Sequence, residues 1–206
     1  MTHEFDKGYW DSHWRQAQDG PASASGAPNP YVVRETGGLV PGTALDAGCG
    51  EGADASWLAA QGWQVTGVDI STEALARAAG RATPDNGPVR WVEADLGTWE
   101  PERQLDLVMT SYAHPAMPQL AFYDRISAWV APGGTLLVVG HLHTPGATGH
   151  DHEPPEQASV TLADITALLD DARWEVETAE EHVREVPGHA GPLHDVVVRA
   201  TRRRTP

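Results

Sequence analysis

The sequence has a single cysteine, Cys49, so it cannot form a disulfide within the chain, and a reducing, cytoplasmic setting is the expectation. It has no apolar run near the roughly 18 residues of a membrane span. Met1 to Trp14 lacks the basic region followed by an apolar stretch that marks a secretory signal, so none is expected. Basic charge is scarce: 14 Lys and Arg face 29 Asp and Glu, a formal net charge of −15. Nucleic-acid binding depends on cations that neutralise phosphates, and this balance repels a polyanion. The one basic cluster, Arg199, Arg202, Arg203 and Arg204, reads as a solvated end. No internal repeat is visible. With these classes set aside, 206 residues of which 40% are hydrophobic suffice for one globular core.

The first forty residues differ from the rest. Phe5 to Trp14 is aromatic and fits a short helix; Gly20 to Pro30, rich in Gly, Pro, Ala and Ser, reads as a loop. From Thr43 onward strand and helix alternate. Strands are expected at Thr43–Ala47, Trp63–Ile70, Val89–Ala94, Leu105–Ser111 and Thr135–Gly140, the last entered through a tight Pro132-Gly133-Gly134 turn. Helices are expected at Ala53–Gln61, from the N-cap Ser71 to Arg81, at Pro118–Val130 and at Leu162–Asp171. Strands spaced by helices imply a parallel sheet covered on both faces. Two closing strands, Trp174–Val186 and Val196–Thr201, have a connection too short for a helical crossover and are expected to pair antiparallel. The fold class is α/β, a seven-stranded, mostly parallel sheet with one antiparallel edge strand.

The informative motif is Asp46-Ala47-Gly48-Cys49-Gly50-Glu51-Gly52, directly after a strand and before a helix. Glycines there permit positive φ and close approach of a ligand to the backbone, and the helix N-terminus beyond offers free N–H groups. A nucleotide-type ligand at the carboxyl ends of the strands is the expected use. The spacing is G-x-G-x-G rather than the G-x-G-x-x-G of dinucleotide folds, and Asp46 would oppose a pyrophosphate while suiting an ammonium group. The second strand ends Gly67-Val68-Asp69-Ile70-Ser71, and a carboxylate at that tip can accept hydrogen bonds from ribose hydroxyls. The third ends Glu93-Ala94-Asp95-Leu96, where Asp95 can take an adenine amino group with Leu96 against the ring. Asp54, in the helix after the loop, is expected to face solvent.

At these residues the chain resembles the class I S-adenosylmethionine-dependent methyltransferases, in particular a small bacterial branch related to tellurite-resistance and thiopurine methyltransferases. The resemblance runs from about Trp10 to Arg199 and implies a Rossmann-like domain over residues 43–206, preceded by an aromatic segment and loop over 1–42. It places the methionine end of S-adenosylmethionine over Asp46, Ala47, Gly48 and Gly50. Asp69 and Ile70 then lie at the ribose, Asp95 and Leu96 at the adenine, and Ser111 and Tyr112 beside the transferring methyl. Trp10 and Trp14, one helical turn apart, form either a lid over the cationic sulfonium or a structural anchor for a terminal helix.

Methyl transfer requires alignment and exclusion of water more than a catalytic triad. His114 and His141, each after a strand at the cofactor end, are the candidate bases, or else hydrogen-bonding loop histidines. His141, His143, His150 and His152 form two H-x-H pairs; without a nearby cysteine or a rigid frame, a substrate-lining loop is the expectation and no metal is assigned. The expected partner is a small-molecule methyl acceptor bound by a monomer or homodimer, with no nucleic acid or membrane. The alternatives are a non-methylating or regulatory binding protein of the same fold and, against the glycine spacing, a nicotinamide oxidoreductase.

Overall fold

The structure is a computed structural model and describes residues 5–16, 26–81, 87–142, 160–184 and 193–204. Its strands are β1 (Thr43–Ala47), β2 (Gln64–Asp69), β3 (Val89–Glu93), β4 (Leu105–Ser111), β5 (Val130–His141), β6 (Trp174–Arg184) and β7 (Leu193–Arg202). The helices are α1 (Lys7–Gln16), α2 (Pro30–Thr36), α3 (Ala53–Ala60), α4 (Thr72–Gly80), α5 (Gln119–Ser127) and α6 (Leu162–Leu168). One seven-stranded sheet runs β3-β2-β1-β4-β5-β7-β6. Strands β1 to β5 pair parallel. The reversed strand is β7, antiparallel to β5 on one side and to β6, the outermost strand, on the other.

Burial explains that order. Val196, Val197 and Val198 are all fully buried, a continuous apolar run that suits a strand covered on both faces rather than a half-solvated edge. Two apolar clusters sandwich the sheet. One holds Leu45, Val68, Val108, Phe122 and Ile126; the other holds Leu58, Trp63, Leu107, Met109 and Val197. Successive residues of β4 thus serve opposite faces, as the pleat dictates.

The helix starts follow side-chain chemistry. Ser71 caps α4 by accepting from the Ala74 N–H, with Glu73 in the first turn and Arg77 in the last, as the sequence indicates. Thr161 and Asp164 form a reciprocal capping box on α6. Two expectations change. Pro132-Gly133-Gly134 is an irregularity inside β5, where the register against β4 shifts and Gly133 takes a φ of 84°; a glycine bulge lets the strand continue through it. Helix α2, absent from the sequence reading, starts at Pro30 behind Asn29, whose side chain accepts from the Tyr31 N–H at 2.9 Å. No helix among the described residues is long and apolar enough to cross a membrane.

Phe122 is a fully buried aromatic at the centre of one face. Phe122→Ala is expected to cost about 3–5 kcal/mol through lost burial and a residual cavity. Val40→Ala, at a side chain 87% exposed, is expected to stay within about 0.5 kcal/mol. Urea denaturation of the two variants checks the difference.

Candidate functional site

The strand order reverses beside β1, which pairs with β2 on one side and β4 on the other. A crevice at the carboxyl ends of the strands follows from that reversal. A cavity of about 520 Å³ lies there, a size typical of small-molecule sites.

Its floor is the loop between β1 and α3. Gly48, Gly50 and Gly52 have φ of 82°, 51° and 75°, conformations costly for any residue with a β-carbon. The Gly48 and Cys49 N–H groups donate to the Val68 carbonyl at 2.8 and 3.0 Å, and Gly50 N–H donates to Asp69 Oδ2 at 2.9 Å. The loop is thereby tied to the tip of β2. A β-carbon on Gly48 would stand 2.2 Å from that of Ala113, so a side chain would close the space between the two loops.

Asp69 also accepts the Ser71 N–H on Oδ1 at 2.8 Å, which leaves lone pairs for a ligand. Asp69 and Ile70 line the cavity, as do Asp95 and Leu96 at the tip of β3. Asp95 Oδ1 accepts the Gly97 N–H at 2.8 Å. Among the described residues expected at the site, only Asp46 and Ala47 do not line the cavity. Both are buried in β1 beneath the glycine loop.

The electrostatics of this floor are unusual. Burial pushes the Asp46 carboxyl well above its ordinary range, and the nearby Asp54 and Asp69 charges push it further. Burial raises Asp54 and Asp69 too, against hydrogen bonds that lower them. Asp54 corrects the expectation of a solvent-facing side chain. It is the second residue of α3, lines the cavity, accepts the Asn29 N–H at 2.6 Å and is hydrogen-bonded by Ser111. Asn29 Nδ2 in turn donates to Ser111 Oγ at 3.0 Å. Asn29 therefore joins the start of α2, the first turn of α3 and the tip of β4. The available signal was the Asn29-Pro30 pair, an N-cap residue before a proline suited to the first helical position.

Helix α1 covers one side. Trp10 and Trp14 both line the cavity, with Phe5 and His13, two aromatic residues the sequence reading did not single out. The helix has no buried residue and is held by polar contacts. Lys7 Nζ donates to the Ile70 carbonyl at 3.2 Å and pairs with Glu93 at 3.0 Å. Ser71 Oγ donates to Asp11 at 2.7 Å, and Trp10 Nε1 to the His114 carbonyl at 3.3 Å. Arg77 donates to the Trp14 carbonyl and lies 5.8 Å over its ring. Exposed ion pairs contribute little each, so the attachment rests on their number.

The adjoining wall is aromatic. Tyr112, directly after Ser111, has a φ of 54°, a strained conformation for a bulky residue that turns the chain at the cavity. Its ring stacks on His141 at 4.5 Å, and His141 lies 5.9 Å from His114. His141 Nδ1 is 3.6 Å from the fully buried Asp195 carboxylate. Burial pushes the His114 imidazole below its ordinary value and the His141 charge adds to this, while a hydrogen bond with Gln119 opposes it. The expected His143, His150 and His152 lie outside the described residues.

Residues 44–134 match the family described as methyltransferase domain. A trans-aconitate 2-methyltransferase of Streptomyces avermitilis is 37% identical over 51% of this chain and 42% of its own length. A probable thiol methyltransferase 2 of Arabidopsis thaliana is 31% identical over 68% of this chain and 64% of its own. The 1,6-didemethyltoxoflavin-N1-methyltransferase of Burkholderia thailandensis, solved with 1,6-didemethyltoxoflavin and S-adenosylhomocysteine, shares the fold at a TM-score of 0.67 and 21% identity, covering 96% of this chain and 87% of that one. A methyltransferase domain is thus matched over a little under half of the chain, and the solved methyltransferase shares the fold. The chain spans about half the length of several of the curated relatives it matches.

Gly48→Val is expected to abolish binding of S-adenosylhomocysteine while the protein still unfolds cooperatively, because the added branch meets Ala113 and strains the loop. Calorimetry paired with thermal denaturation checks this; retained affinity would show that the loop does not touch the ligand.

Proposed function

We propose that the protein transfers the methyl group of S-adenosylmethionine to a small molecule. The observation that carries this reading is the acidic floor. Asp46, Asp54 and Asp69 are desolvated around a loop of three positive-φ glycines, an environment that favours a cationic ligand and disfavours a pyrophosphate. Gly48 and Gly50 then lie under the methionine end, with Asp46 acting through charge from below. Asp69 and Ile70 hold the ribose, and Asp95 with Leu96 the adenine. Ser111 and Tyr112 border the acceptor end. Trp10 and Trp14 serve as a lid whose indole faces suit a cation. S-adenosylmethionine supplies a methyl carbon already activated by its sulfonium. The chain's own residues align the acceptor and exclude water. The lone, buried Cys49 agrees with a cytoplasmic location.

Formation of S-adenosylhomocysteine with an acceptor separates methyl transfer from the alternative of binding without turnover. The protein is expected to bind S-adenosylhomocysteine and not NAD; a calorimetric preference for NAD would sink the assignment. Asp69→Ala is expected to weaken that binding more than tenfold, at about 1.5–3 kcal/mol for each charge-assisted hydrogen bond lost.

Binding should also be linked to protons. The free protein holds these carboxyls at raised pKa, and a cationic ligand stabilises their charged forms and lowers it. Between the two values binding releases protons, so affinity rises with pH across that window and falls on acidification. Calorimetry of S-adenosylmethionine, the sulfonium form, in buffers of different ionisation enthalpy measures the sign. Net proton uptake would contradict the acidic-floor reading.

A further inference from the structure

The acceptor end of the cavity contains a hydrogen-bond arrangement that the cofactor does not require. Gln119, at the start of α5, is 2% exposed. Its Nε2 donates to the Ala113 carbonyl at 2.9 Å, which turns its Oε1 toward His114 Nδ1 at 3.2 Å. An amide oxygen only accepts, so Nδ1 must carry the hydrogen. His114 Nε2 is then left with its lone pair, and no hydrogen bond found among the described residues occupies it. His114 lines the cavity.

The amide is supported from behind. Tyr123, one turn along α5 and 3% exposed, is hydrogen-bonded to Gln119, and burial holds its hydroxyl up to about 12, so it stays neutral. Gly140 of β5 leaves room for that hydroxyl, since a β-carbon there would come within 2.6 Å of it. This packing fixes Gln119 in one orientation, and with it the His114 tautomer.

The rings around His114 are arranged as a wall. His114 lies 5.9 Å from His141 at 20° and 5.9 Å from Phe5 at 32°. Tyr112 stacks beyond His141, and Trp10 stacks on Phe5 at 5.8 Å and 20°. An aromatic, largely apolar lining of this kind suits an aromatic acceptor. The groups around His114 are Phe5, just before α1, and Trp10 from α1, Ala113 and Tyr112 after β4, Gln119 from α5 and His141 from β5, with Asp195 behind His141. None of the first four carries charge, so the imidazole stays neutral and basic near neutral pH.

We propose that the methyl acceptor is an aromatic hydroxyl or thiol, that His114 Nε2 accepts its proton, and that Gln119 is the positioning residue that selects the competent tautomer. This rests on the methyl-transfer reading above. In the step, the acceptor O–H or S–H bond breaks and its proton passes to Nε2. The freed electron pair forms the bond to the methyl carbon while the carbon–sulfur bonding pair leaves with the cofactor sulfur, and the imidazolium returns its proton to water.

Two probes test it on the full chain at a mildly acidic pH: 4-nitrophenol, which keeps its proton there, and 4-nitrothiophenol, which is already an anion. His114→Gln is expected to lose roughly hundredfold or more in kcat on the phenol and less than about tenfold on the thiolate, because a general base matters only for a protonated nucleophile. Gln119→Leu should follow the same pattern, with KM and S-adenosylhomocysteine affinity within about threefold of the parent. Gln119→Glu should restore the phenol rate and move the acid limb of its pH profile upward, since a carboxylate facing Nδ1 raises the imidazole pKa. Nitrogen-15 spectra of the histidine rings should report protonated Nδ1 at His114 in the parent and its loss in Gln119→Leu. Equal losses on both probes, or an Nε2–H tautomer in the parent, would overturn the base assignment. Binding of S-adenosylhomocysteine without methylation of either probe would overturn the acceptor class and leave the methyl-transfer reading standing; failure to bind it would remove both.

Discussion

Three carboxylates are desolvated around a single glycine loop, and the arrangement of the cavity follows from holding them there. Asp46 sits in the central strand, Asp69 at the tip of its neighbour and Asp54 in the first turn of the following helix. Uncompensated burial of charge is expensive, so each carboxyl is pushed toward its neutral form and takes what backbone N–H groups the local chain supplies. Asp69 spends hydrogen bonds on Gly50 and Ser71, which locks the glycine loop to β2. Asp54 spends one on Asn29, which pulls in α2. The same residues that create an electrostatic demand for a cation therefore also shape the walls around the place it would occupy.

Much of this was legible in the sequence because it is local. The strand–glycine–helix unit is contiguous from Thr43 to Ala60, and Asp69 and Asp95 fall at strand ends that short apolar runs mark clearly. The Ser71 cap needs only its own helix. Part of what escaped the reading depends on distant contacts. The solvent-facing assignment of Asp54 treated α3 as an isolated amphipathic helix, whereas Asn29 and Ser111 arrive from 25 and 57 residues away in the chain and cover it. Gln119 carries no signal of its own in the sequence: its partners Ala113 and His114 are only six and five residues away, but the turn between β4 and α5 that faces them follows no periodic pattern.

The aromatic segment is an intermediate case. Its tryptophans follow helical spacing and do share a face toward the cavity. Its attachment is not apolar, however, and periodicity alone gives no hint of that. Lys7, Asp11 and Trp10 reach polar groups on the β2 and β4 tips, so the helix covers the site without contributing to the core. Such a cover separates at low cost, which suits an element that admits a ligand.

The position of β7 bears on how the sheet comes together during synthesis. Strand β6 touches the sheet only through β7, so it has no partner when it leaves the ribosome, and β5 keeps an open edge of unpaired backbone groups until residues 193–202 follow. The β6–β7 hairpin must then dock as a unit, a late pairing of long sequence separation. Until it does, the buried faces of Val196, Val197 and Val198 have no place to go, and the nascent chain is at its most prone to associate with other chains.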